Sequence, residues 1–128
     1  MQISRRKLAV SVTTLAMLVA LVPVSPASAQ DCPCTLLGNG TPVSANDQDG
    51  TPLEIGTKFF ADTAGTVTSI RFYKGDLNTG NHVGHLWTGA GTLLSSVTFT
   101  GETSSGWQAA SFPEPVTVQA NVTYIVSY

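Results

Sequence analysis

His82 and His85 stand three residues apart in a polar run, 75–85, that also carries Asp76, Asn78 and Asn81. Imidazoles and a carboxylate can hold a metal ion. Residues three apart on an extended strand point to opposite faces, however, so a shared ion would need a tight turn. A glycine-rich connector, with Asn and Asp bonding their own backbone, accounts for the run more simply. Asn46, Asp47, Gln48, Asp49 and Gly50 place side-chain oxygens ahead of a glycine, as a calcium loop does. The third acid and the distal glutamate of that pattern are missing at the right spacing, so an Asx-rich surface turn is expected there. Cys32-Pro33-Cys34 admits three readings: a strained local disulfide, pairing with cysteines outside this chain, or a thiolate metal site that lacks further ligands. No metal or cofactor is expected.

Trp87, Trp107 and Tyr73 offer flat rings that could stack on sugars. Trp107 follows Gly106 at the start of a strand and reads as core filling. Tyr73 falls on the strand face opposite Ile70 and Phe72, which favours exposure, whereas the alternation does not settle Trp87. The chain has no G-x-S-x-G elbow, no H-E-x-x-H, no phosphate loop and no dinucleotide fingerprint. Glycosidase chemistry needs two carboxylates across a cleft, and nothing in the sequence pairs Glu54, Glu102, Glu114 or the five aspartates. The expectation is therefore no catalytic residues and no enzyme.

The elements that must position these groups are short strands. All 12 glycines and 15 threonines lie after residue 29, and apolar residues alternate in brief runs with no sustained helical period. From Val116 to Tyr128 apolar and polar residues alternate, with a turn expected at Ala120-Asn121. Ile55, Thr57 and Phe59 share a face of another strand, and Ile70 and Phe72 a face of one over 66–74. Leu93, Val97 and Phe99 follow the turn Gly89-Ala90-Gly91, and Gly106 opens a strand that Pro113 and Pro115 should end. The predicted fold is all-β: an antiparallel β-sandwich or jelly-roll-like single domain over 30–128.

Residues 1–29 read as a secretory signal. Arg5, Arg6 and Lys7 precede an apolar stretch over 8–24, and Ala27-Ser28-Ala29 supplies small residues for cleavage after Ala29. A spanning helix would need ~20 apolar residues, so the membrane matters only during export. Ser4-Arg5-Arg6 leaves Sec and twin-arginine export both open. After cleavage three positive side chains (Lys58, Arg71, Lys74) face eight acids, a net charge of −5, which argues against nucleic acid or anionic lipid as partners.

Ile70-Arg71-Phe72-Tyr73-Lys74-Gly75, Asn78-Thr79-Gly80-Asn81-His82 and Gly84-His85-Leu86-Trp87-Thr88 together resemble a bacterial secreted domain of unknown function, family 4082. The likeness extends to Cys32-Pro33-Cys34-Thr35, Gly56-Thr57-Lys58-Phe59, Gly91-Thr92-Leu93-Leu94, Gly106-Trp107-Gln108 and Thr123-Tyr124. It implies a β-sandwich module appended to extracellular proteins, often beside immunoglobulin-like or carbohydrate-active domains, and no established activity. The family pattern continues past the position of Tyr128, so a truncated product or fragment is expected, with an unpaired strand edge at its end.

The function expected from these features is a secreted, non-catalytic module that binds polysaccharide, another cell-surface component or a protein partner. The expected contact residues are Tyr73, Lys74, Asn78, His82 and Trp87. The alternative is a ligand-free spacer attached to an extracellular enzyme.

Overall fold

Alternation of apolar with hydroxyl-bearing residues builds six strands in the computed structural model, which describes residues 34–46 and 50–128. They are β1 (Gly56–Phe59), β2 (Gly65–Lys74), β3 (Val83–Thr88), β4 (Leu93–Thr98), β5 (Gly106–Val118) and β6 (Tyr124–Ser127). No helix occurs among the described residues. The signal at 1–29, Cys32, and Asp47, Gln48 and Asp49 of the calcium-like run lie outside them. Cys34 is disulfide-bonded, and the chain contains 2 cysteines.

Residues 37–128 form one compact unit that holds every strand. One sheet has the order β1-β6-β3-β4 and the other pairs β2 with β5; all strand pairs are antiparallel. The two sheets pack together as a β-sandwich. Between them lie Ile70, Phe72, Leu86, Phe99, Phe112, Val118 and Tyr124, each at most 7% exposed. Gly84 lets the sheets approach here: a Cβ at that position would come within 3.1 Å of both Ile70 and Phe99.

The C-terminal strand is not an edge, contrary to the sequence expectation. β6 is flanked by β1 and β3, and Tyr128 and Ile55 exchange both backbone hydrogen bonds to extend its ladder with β1. The sheet's edges are β1 and β4. The turn before β6 does fall where the alternation put it. Asn121 adopts φ 59°, a conformation that asparagine tolerates. Its N–H donates to the Ala61 carbonyl, and the Tyr124 hydroxyl accepts from Gln119 N–H.

Pro113 and Pro115 do not end β5, which continues to Val118. In register with β2, Ser69 faces Ser111 while Val67 faces Val116. One residue of β2 therefore stands opposite four of β5, and both prolines sit in that bulge, where no ladder N–H is required.

Candidate functional site

The groups that could do chemistry form two clusters, one at an end of the sandwich and one across the outer face of the four-stranded sheet. The end cluster follows from strand parity. Ile70, Phe72 and Lys74 share the inner face of β2, so the Lys74 side chain runs inward rather than onto an exposed loop. It is met by Glu102, whose Oε2 lies 2.7 Å from Nζ, with both side chains 11% exposed. His82 Nδ1 lies 2.9 Å from the same carboxylate, and Nε2 lies 2.9 Å from Asn78 Oδ1. The His82 ring also packs on Phe72, 4.9 Å away. Burial pushes the Glu102 carboxyl up, but hydrogen bonds and charge from Lys74 and His82 together hold it below its ordinary value.

Two loops are pinned to make this cluster. Gln108, buried on β5, donates to Thr103 Oγ1 and the Gly106 carbonyl and accepts from Thr103 N–H, which fixes the loop carrying Glu102. Asn46 donates to Asp76 and accepts from Leu77 N–H, clamping the turn ahead of Asn78. Asp76 is thus engaged by Asn46 and not by a histidine. His85 lies inside β3 rather than in the connector and bonds a different carboxylate, Glu54. The connector therefore spans 75–82 only.

The outer face of the two-stranded sheet carries Tyr73 and Trp107, which pair across the ladder with their rings edge to face at 5.6 Å. Trp107 is not core, because Gln108 takes the inward position on β5. The Arg71 guanidinium lies 4.0 Å above the Trp107 ring, and Trp107 Nε1–H donates to the Gly40 carbonyl.

The second cluster lies on the opposite side of the sandwich. Glu54, Gly56 and Lys58 fall on the outward side of β1 and the residues before it, by the period of two. Gly56, Ser127 and His85 stand in one cross-strand row, and Lys58, Ile125 and Trp87 in the next. A bulge between β3 and β4 falls beside Trp87, which faces Leu93 instead of Leu94. Glu54, Gly56, Lys58, Trp87, Gly91, Ile125 and Ser127 line a groove of about 520 Å³. Gly56 lets β1 lie close against β6 at the groove wall. A Cβ on Gly56 would come within 2.9 Å of the Val126 carbonyl and 3.0 Å of Ser127 Cβ. Gly56→Ala is therefore expected to cost about 1–3 kcal/mol by overpacking, read as a lower urea midpoint. An unchanged midpoint would mean that β1 shifts freely at this edge.

Hydrogen bonds hold the groove's indole. Trp87 Nε1–H donates to Ser127 Oγ (2.8 Å), and Ser127 donates in turn to Glu54 Oε1 (2.6 Å). His85 Nδ1 meets the same Oε1 at 2.9 Å. Serine, histidine and glutamate are all present, but the serine hydroxyl bonds the carboxylate rather than the imidazole, so the order of contacts differs from a serine–imidazole–carboxylate triad. The Ser127 bond, against a smaller opposing effect of burial and with help from His85, holds the Glu54 carboxyl below its ordinary value. Its side chain is 48% exposed, and Ser127 and His85 both bond Oε1.

A family described as a domain of unknown function, DUF4082, matches residues 39–128. This chain belongs to the DUF4082 family. No curated protein and no solved structure matches it. The matched span of this DUF4082 domain begins after Cys34 and contains all six strands, both clusters and every groove residue. Of the five contact residues expected from sequence, Lys74, Asn78 and His82 meet in the end cluster. Tyr73 lies on the outer face of one sheet and Trp87 on that of the other, so the five do not share a surface. Glu54 and Lys58, which accompany Trp87, escaped the sequence reading. The available signal was that they occupy the alternate positions to Ile55, Thr57 and Phe59.

Proposed function

We propose that this DUF4082 domain is a secreted, non-catalytic glycan-binding module whose contact site is the groove at Trp87. The observation that carries the reading is an indole fixed by Ser127 in an open groove that also exposes a carboxylate and an ammonium. Sugars present C–H faces that suit a flat ring and hydroxyls that suit charged acceptors and donors. A volume of about 520 Å³ lies in the range of small-ligand sites, ~300–1,000 Å³. A protein partner would ordinarily need ~800 Å² on this side, far more than a groove lined by seven residues. Export through residues 1–29 would bring the module to extracellular polysaccharide, where weak contacts gain strength from repetition along the polymer.

Retention of the purified protein on cellulose, chitin, xylan and peptidoglycan tests this. Retention on at least one is expected, with affinity falling about thirtyfold in Trp87→Ala (~2 kcal/mol, as for a buried aromatic contact) and unchanged in Tyr73→Ala. Equal retention of Trp87→Ala would refute the site. Passage through every glycan column would instead favour a spacer.

A further inference from the structure

Residues 30–128 hold three cationic side chains, and two of them are engaged. Lys74 is paired with Glu102 inside the sandwich, and Arg71 lies over Trp107 while donating to Asn39 Oδ1 at 2.9 Å. Lys58 makes no side-chain hydrogen bond or ion pair among the described residues, and it lines the Trp87 groove. Lys58 shares a cross-strand row with Trp87, across Ile125, so although the net charge of −5 disfavours polyanions at large, this unengaged ammonium favours an anionic group locally in the groove.

We infer that the groove takes an acidic glycan, a polymer of uronic-acid type, with a sugar carboxylate on the Lys58 ammonium, the ring face on Trp87 and hydroxyls on Glu54. This rests on the glycan reading above and adds the ligand's charge to it. Spacing decides whether the neighbouring acid would forbid it. Glu54 and Lys58 are four positions apart on one strand line, roughly 13 Å from Cα to Cα at ~3.3 Å per residue. That exceeds the Debye length of ~8 Å at physiological salt. Repulsion between Glu54 and a carboxylate seated on Lys58 is therefore screened more strongly than the direct ammonium–carboxylate contact, which weakens as salt is raised further. Glu54, held ionised by Ser127 and His85, accepts hydroxyls from the neighbouring sugar.

The test compares oligomers of galacturonate and glucuronate with their methyl esters, which keep the shape and remove the charge. Calorimetric titration of the full protein is expected to show the acid form bound about fivefold more tightly at low salt, with the preference fading at high salt. Lys58→Met should erase the preference for acid over ester, and Lys58→Glu should reverse it. Equal affinity for acid and ester, or a preference that survives Lys58→Met, would overturn the inference. Binding of a neutral glycan from the panel but of neither acidic oligomer would overturn it and leave the glycan reading standing. Failure to bind any glycan removes both. Lys58-dependent binding of polyglutamate equal to that of the uronates would contradict the choice of a sugar as ligand.

Discussion

Phe72→Ala is expected to lower the unfolding free energy by about 3–5 kcal/mol, the cost of removing a buried aromatic ring and leaving a cavity. The ring is 3% exposed and stands where both sheets and the end cluster meet. Tyr128 stacks on it at 4.2 Å, Phe99 meets it edge-on at 4.9 Å, and His82 lies against it at 4.9 Å. Few of these neighbours can collapse into the space, since Tyr128 is held by two backbone bonds to Ile55 and His82 by Glu102 and Asn78. A domain of this size holds only about 5–15 kcal/mol in all, so the thermal midpoint should fall by about 15 °C or more. Circular dichroism melts would show it. A fall of less than about 5 °C would mean that the two sheets do not depend on this ring.

Glu102→Ala is expected to cost about 3 kcal/mol at neutral pH, because it leaves the Lys74 ammonium nearly buried with no counter-charge. Two further results separate this from simple loss of packing. Lys74→Met combined with Glu102→Leu should come within about 1 kcal/mol of the parent protein, since replacing both members removes the stranded charge. The deficit of Glu102→Ala should also shrink with acid. The folded-state carboxyl is held below its ordinary value near 4.5. Its ionisation therefore contributes stability that is fully present above the unfolded value and lost as pH falls through the folded one. Glu54 shifts in the same direction and adds to the acid limb. Urea midpoints measured from pH 7 down to about pH 3 would reveal a pH-independent deficit if the ion pair were not responsible.

Much of the sandwich was legible because a strand's period of two is a local signal. The inward set of Ile70, Phe72 and Phe99, the turn at Ala120-Asn121 and the starts of β2 and β5 can all be read from neighbouring residues. The same parity places Lys74 with Phe72, so its inward course was available too, but its charge and the polar connector after it argued for exposure. Trp107 misled in the opposite sense: size suggested core, and parity with Gln108 places it outside. The prolines of β5 were read as breakers because a bulge is a property of the pairing with β2 rather than of β5 itself. The groove was illegible for the same reason. Its residues come from 54–58, 87–91 and 125–127, and only the β1-β6-β3 order and register bring them side by side. No local pattern in one strand specifies which strand will lie beside it.

The two tryptophans allow the most direct test, because their indole N–H groups sit on opposite faces of the sandwich and each gives its own signal in a nitrogen–proton correlation spectrum. Trp87 Nε1–H is bonded to Ser127 in the groove, and Trp107 Nε1–H to the Gly40 carbonyl on the far side. During titration with a soluble oligomer of whichever glycan retains the protein, the Trp87 indole signal should move progressively to saturation while that of Trp107 stays in place. Movement of Trp107 with a stationary Trp87 would contradict the assignment of the groove as the glycan site.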